Sequence, residues 1–227
     1  MENETLLEVV GIVVIPATRE FVAGDLLELD RSADARIRVA WIGTTFGVML
    51  RDKTVEATTE CTLQIHRLRK PLTDGAVIAA LSDDHSAELT TLGDQLIEHF
   101  VTLERLAREL GDAIVSEADT DELAIQIRKH RATQLDLQQQ RNTLLAEIET
   151  TPANLFALLE MQGKGEDGAL LTNGFANIFY LRDVHGTLRS IHLMWSSDGW
   201  LLYCYPPERP HRWSDGYQVF SQVFSRK

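Results

Sequence analysis

Cysteine is scarce in this sequence, and its scarcity argues against a disulfide-stabilised secreted fold. The 227 residues include two cysteines, Cys61 and Cys204, which lie far apart and form no CxxC pair. Such usage suits a reducing cytoplasm. We expect both thiols to act as small buried apolar groups rather than as a disulfide or a metal-binding pair.

Positive charge and long apolar runs are also lacking. Lys and Arg number 22 against 34 Asp and Glu, a net charge of -12. Because nucleic-acid affinity comes mainly from basic side chains, direct nucleic-acid binding is not expected.

The acidic residues at positions 2 and 4 differ from the basic start of a signal peptide, and the apolar run 9–15 is too short to cross a bilayer. We therefore expect a soluble, cytoplasmic protein with no membrane partner.

The residues that are present fit an ordinary globular protein. Hydrophobic residues make up 44% and charged residues 25% of the chain, and a chain of this length can bury a core without metal or disulfide. The negative charge is unevenly spread. Residues 1–85 carry a net charge of -5, residues 86–151 carry -7, and residues 152–227 carry none.

The first third of the chain has the pattern of β-structure. Clustered or alternating apolar residues predict strands over 6–15, 21–29, 36–42, 46–51 and 60–68. In the third of these, Ile37, Val39 and Trp41 are predicted to share one face. We expect a small antiparallel sheet or open barrel over residues 1–81, with a short helix over 76–81.

The middle of the chain changes to a helical period. Leu89, Leu96, Leu103 and Leu110 recur every seven residues, with Leu92, His99, Leu106 and Ala113 between them. After the polar stretch 116–122 comes a second stripe: Leu123, Ile127, His130, Gln134, Leu137, Arg141, Leu144 and Ile148. The short connection predicts an antiparallel, coiled-coil-like hairpin over 82–150.

Two kinds of position are predicted on this hairpin. Its interface residues are Leu89, Leu92, Leu96, Leu103, Leu106 and Leu110. The polar residues His99, His130, Gln134 and Arg141 interrupt the stripes, and His99 should lie opposite the region 130–134. Such a layer inside the seam would fix register and partner number at some cost in stability, whereas at the edge of the seam it would simply face water.

The last third, residues 151–227, is predicted to be a short helix followed by a β-meander packed on the N-terminal unit. Thr151 and Pro152 have the pattern of a helix start, and the helix should end at Gly163. Strands are predicted over 175–182, 187–195 and 200–205, with 217–224 as a fourth. The whole chain is therefore assigned to the α+β class.

Few residues point to chemistry. The segment 163–168 matches GxGxxG, but it follows a helix and precedes a strand, so we interpret it as a loop. His192, Cys204, His211 and Asp183 are candidate catalytic residues, and His185 could join the first three in a zinc site. Their spacing matches no zinc module, and Cys204 lies in an apolar run that would leave its thiol inert. No metal site or cofactor is predicted.

Aromatic residues concentrate in the same third of the chain. Such a cluster forms either a binding surface or the core of a sheet, and we expect most of these residues to form the core. Trp213, in a loop beside Pro210, His211 and Arg212, is predicted to be exposed and to belong to an interface.

A resemblance rests on this C-terminal module. Residues 173–180 read NGFANIFY, and they are followed by Arg182, Asp183, Gly186, Leu188, Arg189, Trp195, Asp198, Gly199, Trp200, Trp213, Val219, Phe220 and Ser221. In these residues the chain resembles an uncharacterised bacterial protein family over 152–224 and, to a lesser degree, over the first 81 residues. The resemblance implies no activity, cofactor or catalytic residue, and it implies that the segment 82–150 is an insertion.

The leading functional hypothesis is a non-enzymatic interaction or assembly protein. Its hairpin would drive homo-oligomerisation or grip a helix of a protein partner. A small hydrolase or metal-dependent enzyme built on the C-terminal His and Cys residues is the first alternative. The second is an acidic inhibitor or nucleic-acid mimic, which the charge of residues 86–151 suggests.

Overall fold

A single mixed sheet of seven strands organises the protein. The computed structural model describes residues 5–27, 29–30, 32, 34–51, 53–82, 86–116, 119–145, 148–207 and 211–223. The strands are β1 (Leu7–Ile15), β2 (Phe21–Val22), β3 (Val39–Ile42), β4 (Thr54–Val55), β5 (Cys61–Leu68), β6 (Leu72–Thr73), β7 (Asn177–Arg182), β8 (Leu188–Ser196), β9 (Gly199–Tyr205), β10 (Arg212–Trp213) and β11 (Gln218–Gln222). The order in the large sheet is β1-β5-β11-β7-β8-β9-β3.

The two β-rich segments of the chain share this sheet. Strand β11 pairs antiparallel with β5 and parallel with β7, so it joins the N-terminal strands to the C-terminal meander β7-β8-β9. On the far side, β3 pairs parallel with β9. The predicted N-terminal antiparallel unit is thus part of a larger mixed sheet. Two short ribbons, β2-β4 and β10-β6, and an isolated bridge between Thr18 and Thr58 complete the β-structure of the described residues.

The helices are α1 (Ala23–Leu26), α2 (Thr44–Phe46), α3 (Asp74–Leu81), α4 (Ser86–Val115), α5 (Asp121–Leu145) and α6 (Pro152–Met161), and a π-helical turn spans Gly47–Arg51. The short helix predicted before the hairpin is confirmed as α3. The predicted start at Thr151 is also confirmed, since its side chain accepts from the backbone N–H of Asn154, and the Asn154 side chain accepts from the backbone N–H of Thr151.

Two strands predicted in the first third are wrong over most of their length. Residues 46–51 are helical, and residues 23–26 form α1. In each case the buried side chains are spaced four residues apart, Phe46 with Leu50 and Ala23 with Leu27. That spacing is the helical period. The prediction gave too much weight to the local abundance of apolar residues.

Strand β3 departs from simple alternation. Its register against β9 shifts between Val39 and Trp41, which has the effect of a bulge. Val39 and Ala40 are therefore both buried, and Trp41 is exposed, with its ring against Tyr203 at a centroid distance of 4.8 Å. The predicted common face for Ile37, Val39 and Trp41 is wrong at Trp41.

The sheet is covered on both faces. On one face, helix α6 and the segment from α1 to β4 pack on side chains such as Phe179, Leu202 and Phe220. On the other, α3 and the base of the hairpin pack on side chains such as Ile178 and Val219. Alternation along each strand thus supplies two cores, because successive side chains point to opposite faces.

The GxGxxG segment is a tight turn after α6. A Cβ on Gly163 would lie 2.2 Å from the carbonyl oxygen of Arg36, and one on Gly168 would lie 2.5 Å from the side chain of Gln162. Gly165 has a φ of +76°, and its Cα faces the ring of Trp195. These glycines are required for close packing, which confirms the interpretation of the motif as a loop. Within the described residues, no helix has the length and apolar character needed to cross a membrane.

Candidate functional site

The base of the hairpin is anchored in the protein. Leu89 is buried in the core beneath the sheet, together with Leu145 and Ile148 from the other end of the hairpin. Leu92 and Leu96 pack on Leu137. Low-numbered residues of α4 thus face high-numbered residues of α5, which places the two helices antiparallel.

A pair of histidines forms a polar layer above this base. Nδ1 of His99 lies 2.9 Å from Nδ1 of His130, and both side chains are half-buried. One ring must donate and the other accept, so the contact requires at least one neutral imidazole. The predicted juxtaposition of His99 with the region 130–134 is therefore present, and both rings remain partly accessible to solvent.

Beyond the histidine pair the two helices leave an open apolar groove, here called the distal groove. Its volume is about 830 Å³. Its lining is Phe100, Leu103, Glu104, Ala107, Leu110, Ala124, Ile127, Arg128, Arg131 and Gln134. Leu103 and Leu110 are half-buried here, whereas Leu89, Leu92, Leu96 and Leu106 are buried. The leucine stripe is thus buried at its base, whereas in its outer half Leu103 and Leu110 are partly open and Leu106 between them stays buried.

Exposed apolar side chains surround the same end of the hairpin. Ile114, Val115 and Ile125 lie near the turn between the helices and are more than half exposed. Large exposed apolar surface rimmed by charges is typical of a protein-interaction site.

The net negative charge of the hairpin is concentrated at its base. Residues 86–98 and 135–151 together carry six acidic and one basic residue, a net charge of -5, whereas residues 99–134 carry seven acidic and five basic residues, a net charge of -2. Around the distal groove, α4 contributes Glu104 while α5 contributes Arg128 and Arg131. The two walls of the groove therefore carry opposite charges.

The other two predicted polar-seam residues occupy different surroundings. Gln134 is half-buried and lines the distal groove. Arg141 is buried at the base, where its positive charge partly opposes the rise that burial causes in the pKa of Asp74 and of Tyr180. Arg141 thus belongs to a buried polar network beneath the sheet.

Asp74 is the centre of that network. Its Oδ1 accepts hydrogen bonds from the Tyr180 hydroxyl at 2.7 Å, the Ser190 hydroxyl at 2.9 Å and the Trp213 indole N–H at 2.8 Å. Burial raises the pKa of Asp74, and the hydrogen bonds and Arg141 only partly oppose that rise. Burial and the nearby carboxylate raise the pKa of Tyr180, so its hydroxyl stays a donor at neutral pH.

The predicted exposure of Trp213 is wrong. Its side chain is 1% exposed. Strand β10 pairs with β6 directly before α3, which brings the indole N–H to Asp74 at the first turn of that helix. A buried indole needs a hydrogen-bond acceptor, and Asp74 supplies it.

The Trp213 ring also forms part of the wall of a second cavity, here called the aromatic cavity, on the same face of the sheet. Its volume is about 330 Å³, and its lining is Ala176, His192, Met194, Tyr203, Tyr205, His211, Trp213 and Tyr217. The His192 ring lies 4.4 Å from Tyr203 and 5.1 Å from Trp213, centroid to centroid. The two predicted residues His192 and His211 therefore meet around Trp213.

The candidate nucleophile lies on the opposite face. His192 is directly opposite Tyr203 in the β8-β9 pairing, so the next residue, Cys204, points away from His192. Cys204 is buried in the core under α6, and burial raises the pKa of its thiol to about 11. The structure does not bring Cys204 together with His192 or His211.

Asp183 stabilises a turn rather than a histidine. Its carboxylate accepts from Nε of Arg189 at 2.7 Å and from the backbone N–H groups of His185 and Thr187. The backbone of His185 is therefore part of this turn, and its imidazole is exposed. Across the part of the chain that the structure describes, no three His, Cys, Asp or Glu side chains are grouped as metal ligands.

Sequence reasoning missed Asp74 and the tyrosines around the aromatic cavity. Asp74 follows Thr73, whose side chain caps α3, and an acidic residue in a first helical turn is ordinary. The burial of Asp74 depends on β7, β8 and β10, which lie far from it in the sequence. Tyr203 and Tyr205 alternate with apolar residues along β9, which is the pattern of one face of a strand but does not reveal that the face is partly open.

Comparison with known proteins adds no relative: no family model, no curated protein and no solved structure matches the chain.

Proposed function

We propose that this is an assembly protein that self-associates through the distal groove of its hairpin. The observation that carries the proposal is the half-buried state of Leu103 and Leu110 in a groove open to solvent, while the leucines of the same stripe nearer the base are buried. Two helices alone cannot enclose a core between them along their whole length. Two hairpins can, because their four helices pack around a shared core in a four-helix bundle.

A second copy of the chain suits the groove better than an unrelated helix. The helix α4 has 30 residues, which corresponds to a length of about 45 Å, so its outer half is free to meet a copy. With α4 of one copy beside α5 of the other, Glu104 would approach Arg128 and Arg131 of the copy. A two-fold arrangement makes each such contact twice.

Charge also favours self-association at this end. The outer part of the hairpin is close to neutral and the base holds most of the acidic excess, so two copies joined by their tips keep their acidic bases apart. The same distribution weakens the alternative of an acidic mimic, since a nucleic-acid mimic would need its acidic residues on the exposed part. The separation of Cys204 from His192 across the sheet gives no support to the hydrolase alternative.

A single substitution in the groove tests the proposal. Ala107 is exposed on α4 and lines the groove, so Ala107→Glu places a charge in the interface with little effect on the single chain. We expect light scattering to give twice the mass of the chain for the wild type and the mass of one chain for Ala107→Glu. Ala132 is an exposed alanine of α5 outside the lining of the groove, and Ala132→Glu should keep the double mass.

Two results would overturn the proposal. One is a single-chain mass for the wild type at every concentration. The other is an Ala107→Glu variant that reaches the double mass at the same concentration as the wild type, with circular dichroism showing that its helices are intact.

A further inference from the structure

The two histidines of the hairpin, His99 and His130, lie where its buried base meets the distal groove. One turn before His99, Leu96 is buried against Leu137. One turn after it, Leu103 lines the groove. A change in the contact between the two rings would therefore alter both the closure of the helices and the shape of the groove.

The geometry of the pair is that of one shared proton. The two Nδ1 atoms are 2.9 Å apart, whereas the ring centroids are 5.0 Å apart, so the nitrogens face each other between the rings. One Nδ1–H donates and the other Nδ1 accepts, which is possible for two neutral rings and for one charged and one neutral ring. Two charged rings carry a hydrogen on every nitrogen. They cannot form this hydrogen bond, and their positive charges repel each other.

The surroundings of the pair give a second positive charge no carboxylate partner. The side chains one turn away on the same faces of α4 and α5 are uncharged: Gln95, Leu96, Thr102, Leu103, Gln126, Ile127, Thr133 and Gln134. The charged residues within five positions of either histidine are all exposed, three acidic and three basic: Asp94, Glu98, Glu104, Arg128, Lys129 and Arg131. Within the described residues, none of them is paired with either ring.

We propose that the His99–His130 pair is a pH switch that keeps the hairpin closed beside the distal groove at neutral pH and opens it in mild acid. Histidine is the side chain whose charge ordinarily changes between about pH 5 and 8. The open hairpin accepts a proton on each ring, whereas the closed hairpin accepts a single proton. Because the open form binds more protons, the closed form loses stability as the pH falls. The switch belongs to the single chain, so it does not depend on self-association.

Two other groups that gain a proton in acid act in the opposite direction. Burial raises the pKa of Asp74 and of Glu149 at the base of the hairpin. The folded chain holds these protons more tightly than the unfolded chain, so both groups contribute more stability as the pH falls. Opening of the hairpin in mild acid is therefore not the effect of either carboxyl group.

Amide hydrogen exchange of the full chain tests the switch. Every sample carries Ala107→Glu, so that contacts between copies do not protect the helices. The rates are corrected for the intrinsic effect of pH on exchange. Residues 100–115 and 121–130 should then exchange about tenfold faster at pH 5 than at pH 7, relative to residues 89–96 and 137–145, because one hydrogen bond is lost.

The double variant His99→Leu, His130→Leu removes both titrating rings and extends the leucine stripe. Its relative exchange rates should be the same at both pH values. The exposed His185 provides the matched control, and His185→Leu should keep the full response to pH.

Nuclear magnetic resonance of the histidine side chains gives a second measurement that needs no substitution of the pair. The ring nitrogen signals of His99 and His130 should change together and in two steps as the pH falls, because two interacting groups titrate as a pair. The signal of His185 should change in one step.

Three results would overturn the proposal: relative exchange rates that do not change between the two pH values while both histidines are present, an acid response that persists in the double variant, or independent one-step titration of His99 and His130. None of these results bears on self-association at neutral pH. A wild type that is always a single chain would leave all three measurements in place.

Discussion

Asp74 shows how one residue fixes the position of three elements. Its Oδ1 holds donors from β7, β8 and β10 at the start of α3. A single buried acceptor shared by three donors makes those donors depend on each other, because removing it leaves all three without a partner.

Removing this acceptor should be severely destabilising. We expect Asp74→Ala to lower the free energy of unfolding by about 3 kcal/mol or more, since each orphaned buried donor costs roughly 1–3 kcal/mol. Urea unfolding measures the change. Asp74→Asn keeps an acceptor oxygen and should cost much less. Asp112 is exposed on α4, and Asp112→Ala should change stability by less than about 0.5 kcal/mol. Equal costs for Asp74→Ala and Asp74→Asn would refute the role of Oδ1.

The raised pKa of Asp74 also gives a pH dependence. The folded state holds the proton more tightly than the unfolded state, whose pKa is near the ordinary 3.8. The contribution of Asp74 to stability is therefore full below that pH and is lost as the pH rises through the folded pKa. Asn cannot titrate, so the stability of the wild type relative to Asp74→Asn should fall as the pH rises above 3.8. A difference that is constant or grows in favour of the wild type would contradict the assigned direction.

At the scale of single residues, sequence reasoning reached only part of the structure. Both cysteines are predicted to be buried, which is confirmed for Cys204 and wrong for Cys61, a half-buried residue. Burial raises the pKa of the Cys204 thiol to about 11, which agrees with the predicted low reactivity. The expected exposure of Trp213 rested on its loop neighbours, whereas its burial depends on Asp74, which is distant in sequence. No local pattern encodes such a contact.

The start of a helix is easier to predict where a capping side chain marks it. Thr151 caps α6 and Pro152 follows it, as expected from the sequence, whereas the return hydrogen bond to Asn154 was not predicted. Helix α2 and the π-helical turn lack such a signal, since no side chain caps α2, and that segment was misassigned.

The Thr151 cap of α6 leads to a quantitative prediction. Thr151→Ala removes the acceptor for the Asn154 backbone N–H and should lower the free energy of unfolding by about 1 kcal/mol. Thermal or urea unfolding measures it, and Thr151→Ser should restore most of the loss. Thr143 is exposed within α5, where Ala is a better helix former, so Thr143→Ala should be neutral or slightly stabilising. A Thr151→Ala variant as stable as the wild type would show that the cap does not contribute to the free energy of unfolding.

The hairpin is the element for which pattern and structure agree best. The seven-residue period predicts both helices, and the short connection between them predicts their antiparallel order. The same period does not show that the burial of the leucine side chains changes along α4. That burial depends on where the hairpin leaves the sheet, which no local pattern encodes. Leu96 is fully buried, so charged substitutions there would test folding, and Ala107 is the better site for a test of assembly.

Across the whole molecule, the pairing of distant segments was the least predictable feature. The sequence predicts strands over 60–68 and 217–224, but it does not reveal that Phe220 pairs with Ile65. Placement of β11 between β5 and β7 makes one sheet from the two ends of the chain. The hairpin is inserted between these ends, so its tip is available for assembly without interrupting the sheet.

Sedimentation equilibrium of the wild-type chain over a wide range of concentrations tests self-association most directly. We expect a reversible change from one chain to two as the concentration rises, with no larger species, because a two-fold pairing of the distal grooves is closed. Ala107→Glu should shift the midpoint of that change to at least tenfold higher concentration. A wild-type chain that sediments with the mass of one copy throughout would contradict assembly through the distal groove.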